Sequence, residues 1–388
     1  IILMIAGGLQ SSFGVFFKPM STELGWSRAL TAGAFTLNLV MQAVMSIVIG
    51  RLNDRFGPRI LVTAAGVLLG TGYILLSQID SIWQIYLFYG ILVGAGSSTW
   101  VPILSTQMRW FVKYRGLICG LVSSGISVGM VVGPPLATKI IEMSDWRNSY
   151  FTIGLIALLL SVTAAQFLKR DPSQISETAY GTKTSNANGA EPVQTGLSLK
   201  EAVRTSNFWI FGIAFFSLNF CLQTMVVHIV PHATDIGIEA TVAATILSVL
   251  GIVSIAGRLS VGFIADRLGC KVVMVTVNVL MVVSFILLLT TNGLGMIYLF
   301  AVIFAISYGG FSTIQSPIVA DSFGLKSHGT ILGLILVGNF VGGGLGPFIA
   351  GRIFDTSGSY YSVFTICAVL SFIVVLISLR LKSSVSAK

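Results

Sequence analysis

From Val272 to Ala320 this chain carries no charged side chain. About 20 apolar residues cross the ~30 Å hydrocarbon core of a bilayer as a helix, which satisfies its own backbone polar groups. The stretch is long enough for two crossings, divided at Asn292-Gly293. Charge-free runs recur at Ile60–Gln78, Ser81–Met108, Gly116–Thr138, Asn148–Leu168 and Thr356–Leu379. Only 10% of residues are charged and 54% are hydrophobic, against ~25% charged in a soluble domain. The chain therefore reads as an all-α integral membrane protein. Twelve spans are expected, near 1–20, 29–50, 60–78, 83–107, 115–139, 148–168, 207–230, 240–265, 272–291, 296–320, 328–351 and 361–380. The first span begins at Ile1 without an initiating Met, so the sequence is read as starting inside it, and not with a signal peptide.

One pattern, G-x-x-x-D-R-x-G, occurs twice. It reads Gly50-Arg51-Leu52-Asn53-Asp54-Arg55-Phe56-Gly57 and Gly262-Phe263-Ile264-Ala265-Asp266-Arg267-Leu268-Gly269, at an offset of 212. A second match has an offset of 213: Gly116, Gly120, Leu121, Gly129, Gly133 and Pro134 fall on Gly329, Gly333, Leu334, Gly342, Gly346 and Pro347. The chain is two copies of one membrane unit: a six-helix bundle over 1–168, a linker over 169–205 and a second bundle over 206–388. Such a duplication is the usual plan of a secondary transporter, whose site lies at midplane where the repeats meet.

Within the linker, Thr182–Gly196 is rich in Ser, Thr, Asn and Gly and reads as flexible. Ser198 and Glu201 form a capping box for a short surface helix. The 42 glycines concentrate in spans four, five, ten and eleven. Gly129-x3-Gly133-Pro134 and its copy Gly342-x3-Gly346-Pro347 give either tight helix packing or a hinge for conformational change.

The net charge of +9 does not point to nucleic acid, because its distribution is one-sided. With the two motif loops placed inside, the outer face holds five of the 23 Lys and Arg: Lys18, Arg28, Lys139, Arg147 and Arg352. Arg258 lies in a span and the remaining seventeen are inner. This positive-inside bias predicts a multi-pass protein with both termini cytoplasmic.

Cys119, Cys221, Cys270 and Cys367 show no paired or metal-ligand spacing and read as small buried hydrophobes. There is no P-loop, metal-ligand cluster or nucleophile with a base. The chain is not expected to be an enzyme, and no cofactor or metal is expected.

Arg258 is the only Lys or Arg in the interior of a span; Lys18, Arg115, Lys139 and Arg380 stand at span ends. Eight residues before Asp266, it lies roughly 12 Å from the inner end at 1.5 Å per residue, near midplane. An intramembrane Arg costs ~2.5–3.5 kcal/mol or more, so it must face a cavity or a partner. No carboxylate is expected inside a span to pair with it. Anion binding is the functional reading, and satisfaction by backbone carbonyls the structural one. Asn38, Trp100, Tyr308 and Gln315 are span positions able to line a binding cavity or to serve as helix–helix glue. His228, three residues before Pro231, can relay protons or sit idle on the outer rim.

The repeated loop resembles the signature of the major facilitator superfamily. That resemblance implies two six-helix bundles around a midplane cavity, alternating access, and gating by Asp54, Arg55, Asp266 and Arg267. Arg109 and Arg115 are candidate partners of the two aspartates at the inner gate. A narrower resemblance, to the monocarboxylate transporters, rests on three segments. They are Ser12-Phe13-Gly14-Val15-Phe16-Phe17-Lys18-Pro19 with Glu23-Leu24-Gly25-Trp26-Ser27-Arg28, then Trp110-Phe111-Val112-Lys113-Tyr114-Arg115-Gly116-Leu117, then Arg258-Leu259-Ser260-Val261-Gly262. Bacterial members, including the oxalate:formate antiporter branch, are similar throughout. The resemblance implies that Arg258 binds a substrate carboxylate, bidentately where geometry allows, and that Lys18 couples a proton. An interfacial lysine is the other reading of Lys18. Animal members carry an Asp one turn before the arginine; this chain has Ser254, which cannot take a proton.

The expectation is a monomeric bacterial inner (plasma) membrane symporter of small monocarboxylates such as lactate or pyruvate. Its partners would be the organic anion, a proton or counter-anion, and the bilayer, with no nucleic acid. The alternatives are anion exchange of the oxalate:formate type, a channel, or a non-transporting sensor.

Overall fold

The computed structural model describes residues 1–26, 28–175, 178–181, 196–290 and 293–381. Most of Thr182–Gly196 and the expected break at Asn292 thus lie outside the described residues. Twelve long helices are present among them. The first half contributes α1 (Ile2–Leu24), α2 (Arg28–Phe56), α3 (Pro58–Leu76), α4 (Ile82–Trp110), α5 (Arg115–Met143) and α6 (Trp146–Gln166). The second contributes α7 (Ser206–Asp235), α8 (Ala240–Leu268), α9 (Cys270–Leu289), α10 (Leu294–Phe323), α11 (His328–Ser357) and α12 (Tyr361–Leu379). Eleven are long and apolar enough to span; in α1 the apolar stretch is Ile2–Phe17. Cys270 opens α9, not a loop, and all four cysteines are free and buried. α10 runs on to Phe323, so Asp321, placed in a loop by the sequence, belongs to the helix.

Compactness groups the chain as Ile1–Thr106 with Gly125–Glu177, and Gln107–Ser124 with Thr178–Lys388. The stretch Gln107–Ser124, which the repeat assigns to the first bundle, is grouped with the second.

In the first unit, aromatic rings fill the core: Phe16 stacks on Tyr150 at 3.9 Å and Phe13 on Tyr89 at 4.3 Å. The Tyr73 hydroxyl donates to the Leu9 carbonyl at 2.9 Å. Lipid is as apolar as leucine, so helices associate through close packing of small residues. A Cβ on Gly129 would sit 2.0 Å from the Met4 carbonyl oxygen, and one on Gly133 2.5 Å from that of Gly8. The duplicated pair repeats this in the second unit, where Cβ atoms on Gly342 and Gly346 would lie 2.2 and 2.5 Å from the Phe216 and Phe220 oxygens. Both glycine–proline segments pack on the first helix of their own half and continue through the proline without interruption.

The last glycine of each motif turns a corner between two helices. Gly57 has φ +80° and Gly269 φ +85°, a conformation that suits glycine. Their N–H groups close α2 and α8 on Asn53 and Ala265. Pro58 then starts α3, where its missing N–H costs nothing. Arg170 reaches back to this first corner, donating to the Asp54 carbonyl at 2.6 Å.

The linker is anchored at two equivalent places in the second unit. Tyr180 pairs with Phe111, its N–H donating to the Trp110 carbonyl and its own carbonyl accepting from Val112, each at 2.9 Å. Gly196 pairs with Gly324, and the Leu197 N–H donates to the Phe323 carbonyl at 2.8 Å. Phe111 and Gly324 are 213 positions apart. The expected capping box is present, with Ser198 and Glu201 exchanging bonds ahead of the helix Leu199–Val203. Those bonds hold the Glu201 carboxyl below its usual pKa.

Candidate anion site and the motif-loop end

α8 carries Arg258 between two backbones. On one side Gly120 of α5 lies against it, where a Cβ would come within 2.3 Å of the Arg258 carbonyl oxygen. On the other, a Cβ on Gly309 of α10 would be 2.5 Å from the Ser254 carbonyl oxygen. Glycine at both positions allows the approach. Arg258 is 1% exposed, and its Nη2 donates to the Tyr308 hydroxyl at 2.9 Å. The guanidinium carbon also lies 5.2 Å from the Tyr308 ring centroid, within cation–π range. Thr313 Oγ1 donates to the Arg258 carbonyl at 3.4 Å. Gln315, further along α10, is also buried. Ser254 turns its hydroxyl onto its own helix, donating to the Gly251 carbonyl at 2.7 Å. A planar guanidinium at this place suits an anion.

The other expected residues lie elsewhere. Asn38 is buried in the first unit, donating to the Tyr89 carbonyl and accepting from Gln42, both at 2.8 Å. Trp100, half-buried, begins the last segment of α4, also in the first unit. Lys18 falls on α1, and its side chain lies outside what the structure describes. His228 has both ring nitrogens engaged: Nε2 is 3.0 Å from the Pro347 carbonyl and Nδ1 3.1 Å from the Tyr360 hydroxyl. A carbonyl only accepts, so Nε2 carries the hydrogen and Nδ1 accepts from the phenol. Burial, with Asp235 and Asp355 nearby, raises the Tyr360 pKa and keeps that phenol a donor.

At the motif-loop end Asp266 accepts from the backbone N–H groups of Gly116 and Leu117, at 2.7 and 2.9 Å. These are orphan donors of the first turn of α5, where a carboxylate is favoured by the helix dipole. A Cβ on Gly262 would lie 2.4 Å from the Gly116 carbonyl oxygen, so the first motif glycine brings the helices together. The sequence pairs this aspartate with an arginine side chain; in the structure it caps a helix. Arg115 instead donates to the Phe111 and Met108 carbonyls at 2.7 and 3.1 Å, the end of α4. Arg109 is buried, while Arg55 and Arg267 lie over Phe56 and Phe263 at 5.2 and 4.2 Å. Beside Asp266 an open recess of ≈ 570 Å³ is lined by Lys113, Tyr114 and Arg267 among others; Arg258 is not part of it.

The sequence reading missed Gly120 and Gly309 as the clamp on Arg258, and missed His328. His328 had a signal: it stands 213 positions after Arg115, just before the matched glycine.

Comparison with known proteins agrees with this architecture. A family model described as Major Facilitator Superfamily matches residues 1–271 and 229–387. The oxalate:formate antiporter of Oxalobacter formigenes is 28% identical over 96% of this chain and 87% of its own length. Monocarboxylate transporter 13 of Rattus norvegicus is 26% identical over 92% and 81%. An Escherichia coli fucose:proton symporter superposes with a TM-score of 0.74 at 14% identity, covering 98% of this chain and 97% of that one; this likeness concerns the fold.

Proposed function

We propose that this chain, which belongs to the Major Facilitator Superfamily, carries small carboxylates across its membrane by alternating access. The observation that carries the reading is Arg258, a buried guanidinium on α8 held by the neutral hydroxyl of Tyr308. It offers a fixed cation to an anion, and its planar fork matches a carboxylate. Two sets of relatives support that substrate class, since their names specify monocarboxylates, or oxalate and formate. Tyr308 and Gln315 complete the second half's contribution; Trp100 and Asn38 are candidates in the first. The bias of basic residues supports a cytoplasmic placement of the motif loops, of the start of α1 and of the end of α12. Asp266 is a gating group through its cap on α5, and by the repeat Asp54 has the same role.

Coupling has two readings. In symport, Lys18 or His228 takes the proton, since Ser254 cannot. In exchange, a second anion balances the charge, as the name of the Oxalobacter formigenes relative specifies for that protein.

The test is uptake of labelled lactate and oxalate into proteoliposomes, with a pH gradient or with internal counter-anion. Arg258→Ala and Arg258→Lys, both folded by thermal melting, should each lose uptake by about a hundredfold or more. Wild-type uptake by either variant rules out the anion site. Uptake that follows the pH gradient and disappears in Lys18→Gln supports symport; uptake that requires internal anion at every pH supports exchange.

A further inference from the structure

The second repeat has a histidine where the first has an arginine. Arg115 and His328 precede the matched glycines and open α5 and α11. Arginine stays charged at every physiological pH, whereas histidine changes charge near pH ~6.5. His328 is 1% exposed. Its Nε2 lies 3.2 Å from the Ser316 carbonyl oxygen and 3.4 Å from the same residue's hydroxyl. The carbonyl requires a hydrogen on Nε2, which leaves Nδ1 as a buried lone pair. Among the described residues no group hydrogen-bonds to Nδ1.

The charges acting on the ring come from Arg109 and Arg115; from α10 it faces Ser316. Both arginines lie in Gln107–Ser124, the segment grouped with the second unit. Asp321 and Asp266 interact with each other, and Arg115 with Asp321, but neither acid acts on the imidazole among the described residues.

We infer that His328 is a proton sensor for the docking of Gln107–Ser124 on the second half of the chain. Neutral, it fits a dry site beside two guanidiniums. Protonated, it becomes a third buried cation, with an Nδ1–H that has no acceptor among the described residues, and the arrangement is disfavoured by charge and by desolvation. The docked segment therefore binds fewer protons than the released one. Docking is complete above pH ~6.5 and weakens as the pH falls below it. The regulation this gives, acid at the motif-loop side changing how readily the segment releases, rests on the transport reading above. The structural step does not require it.

Hydrogen exchange of the peptides covering 107–124 tests the step in intact purified protein between pH 8 and 5. The ratio of wild type to His328→Gln cancels the chemical pH dependence of exchange. The ratio should be near one at pH 8 and rise to about threefold or more at pH 5. Arg109→Gln, which keeps the histidine, should flatten the rise in exchange toward pH 5, because with one repelling charge gone the docked histidine resists protonation less; this arm also covers a His328→Gln protein that does not fold. A flat ratio, or an Arg109→Gln profile superimposable on wild type, overturns the inference. No substrate is present, so a flat ratio in a protein that moves lactate through Arg258 rejects the sensor alone. A pH-dependent ratio in a protein that moves no carboxylate rejects the transport reading alone.

Discussion

α4 and α10 are the same helix in the two repeats, ending at Trp110 and Phe323, 213 positions apart, yet one is broken and the other is not. α4 consists of Ile82–Ile85, a π-helical stretch Tyr86–Val93, Gly94–Gly96, and a restart at Trp100. α10 is continuous for 30 residues. Pro102 stands where α10 has Gln315, so the Ser98 carbonyl of α4 loses its helical donor. Proline alone is not sufficient, because α10 runs straight through Pro317. The difference is Ser97-Ser98-Thr99, whose polar groups give the backbone other partners: Ser97 Oγ donates to the Val93 carbonyl at 2.8 Å and the Thr99 N–H to the Ser97 carbonyl at 2.9 Å. Hydroxyls of this kind compete with the helical ladder. α10 has Gly310-Phe311-Ser312 at that place and stays a rigid rail, with Tyr308 against the Arg258 guanidinium and Thr313 against its carbonyl. The helix that packs Tyr308 against Arg258 is the continuous one.

This contrast breaks first at the rail. Gly309→Val would press a branched side chain on the Ser254 carbonyl and part α10 from α8. Lactate uptake should fall by about tenfold or more at equal expression, and near-normal uptake would show that the clamp does not position Arg258. Next, Tyr308→Phe keeps the ring but removes the phenol oxygen. Lactate affinity should weaken about five- to tenfold, roughly 1–1.4 kcal/mol, as measured by ligand-induced thermal shift; unchanged affinity would leave Tyr308 a packing residue. The smallest effect is expected in α4. Pro102→Ala restores a donor for the Ser98 carbonyl and should raise the melting temperature by about 1–3 °C, with slower hydrogen exchange over Ser97–Thr99. Faster exchange there would mean that the hydroxyls, not the proline, maintain the break.

Much of this was legible in the amino-acid order. Apolar runs located all twelve helices to within six residues at either end, because a bilayer fixes both their length and their composition. The offsets of 212 and 213 related the glycine–proline segments before either was seen to pack on the first helix of its half. Arg258 stood out because so few charges can be left within a span. What stayed hidden depends on which helices touch. The partner of Asp266 is a pair of backbone N–H groups, which every residue but proline has, so nothing in the side chains marked Gly116 and Leu117 as its donors. The grouping of Gln107–Ser124 with the second half has the same origin, in backbone approaches at Gly116, Gly120 and Gly262. The break in α4 was overlooked because hydropathy does not register a lost donor.

The two bridges that anchor the linker bear on how the protein can be cut. Tyr180 and Leu197 are tied by backbone hydrogen bonds to equivalent loops, on either side of the stretch that contains Lys183. A protease that nicks the chain at Lys183 therefore leaves each new end fastened within the second unit. Each bridge lies within one fragment, Tyr180 with Phe111 and Leu197 with Phe323, so it holds only its own new end. The fragments stay joined through Asp266 on Gly116 and Leu117 and the close approach of Gly120 to Arg258. The nicked molecule should migrate as one particle in detergent and separate only on denaturation.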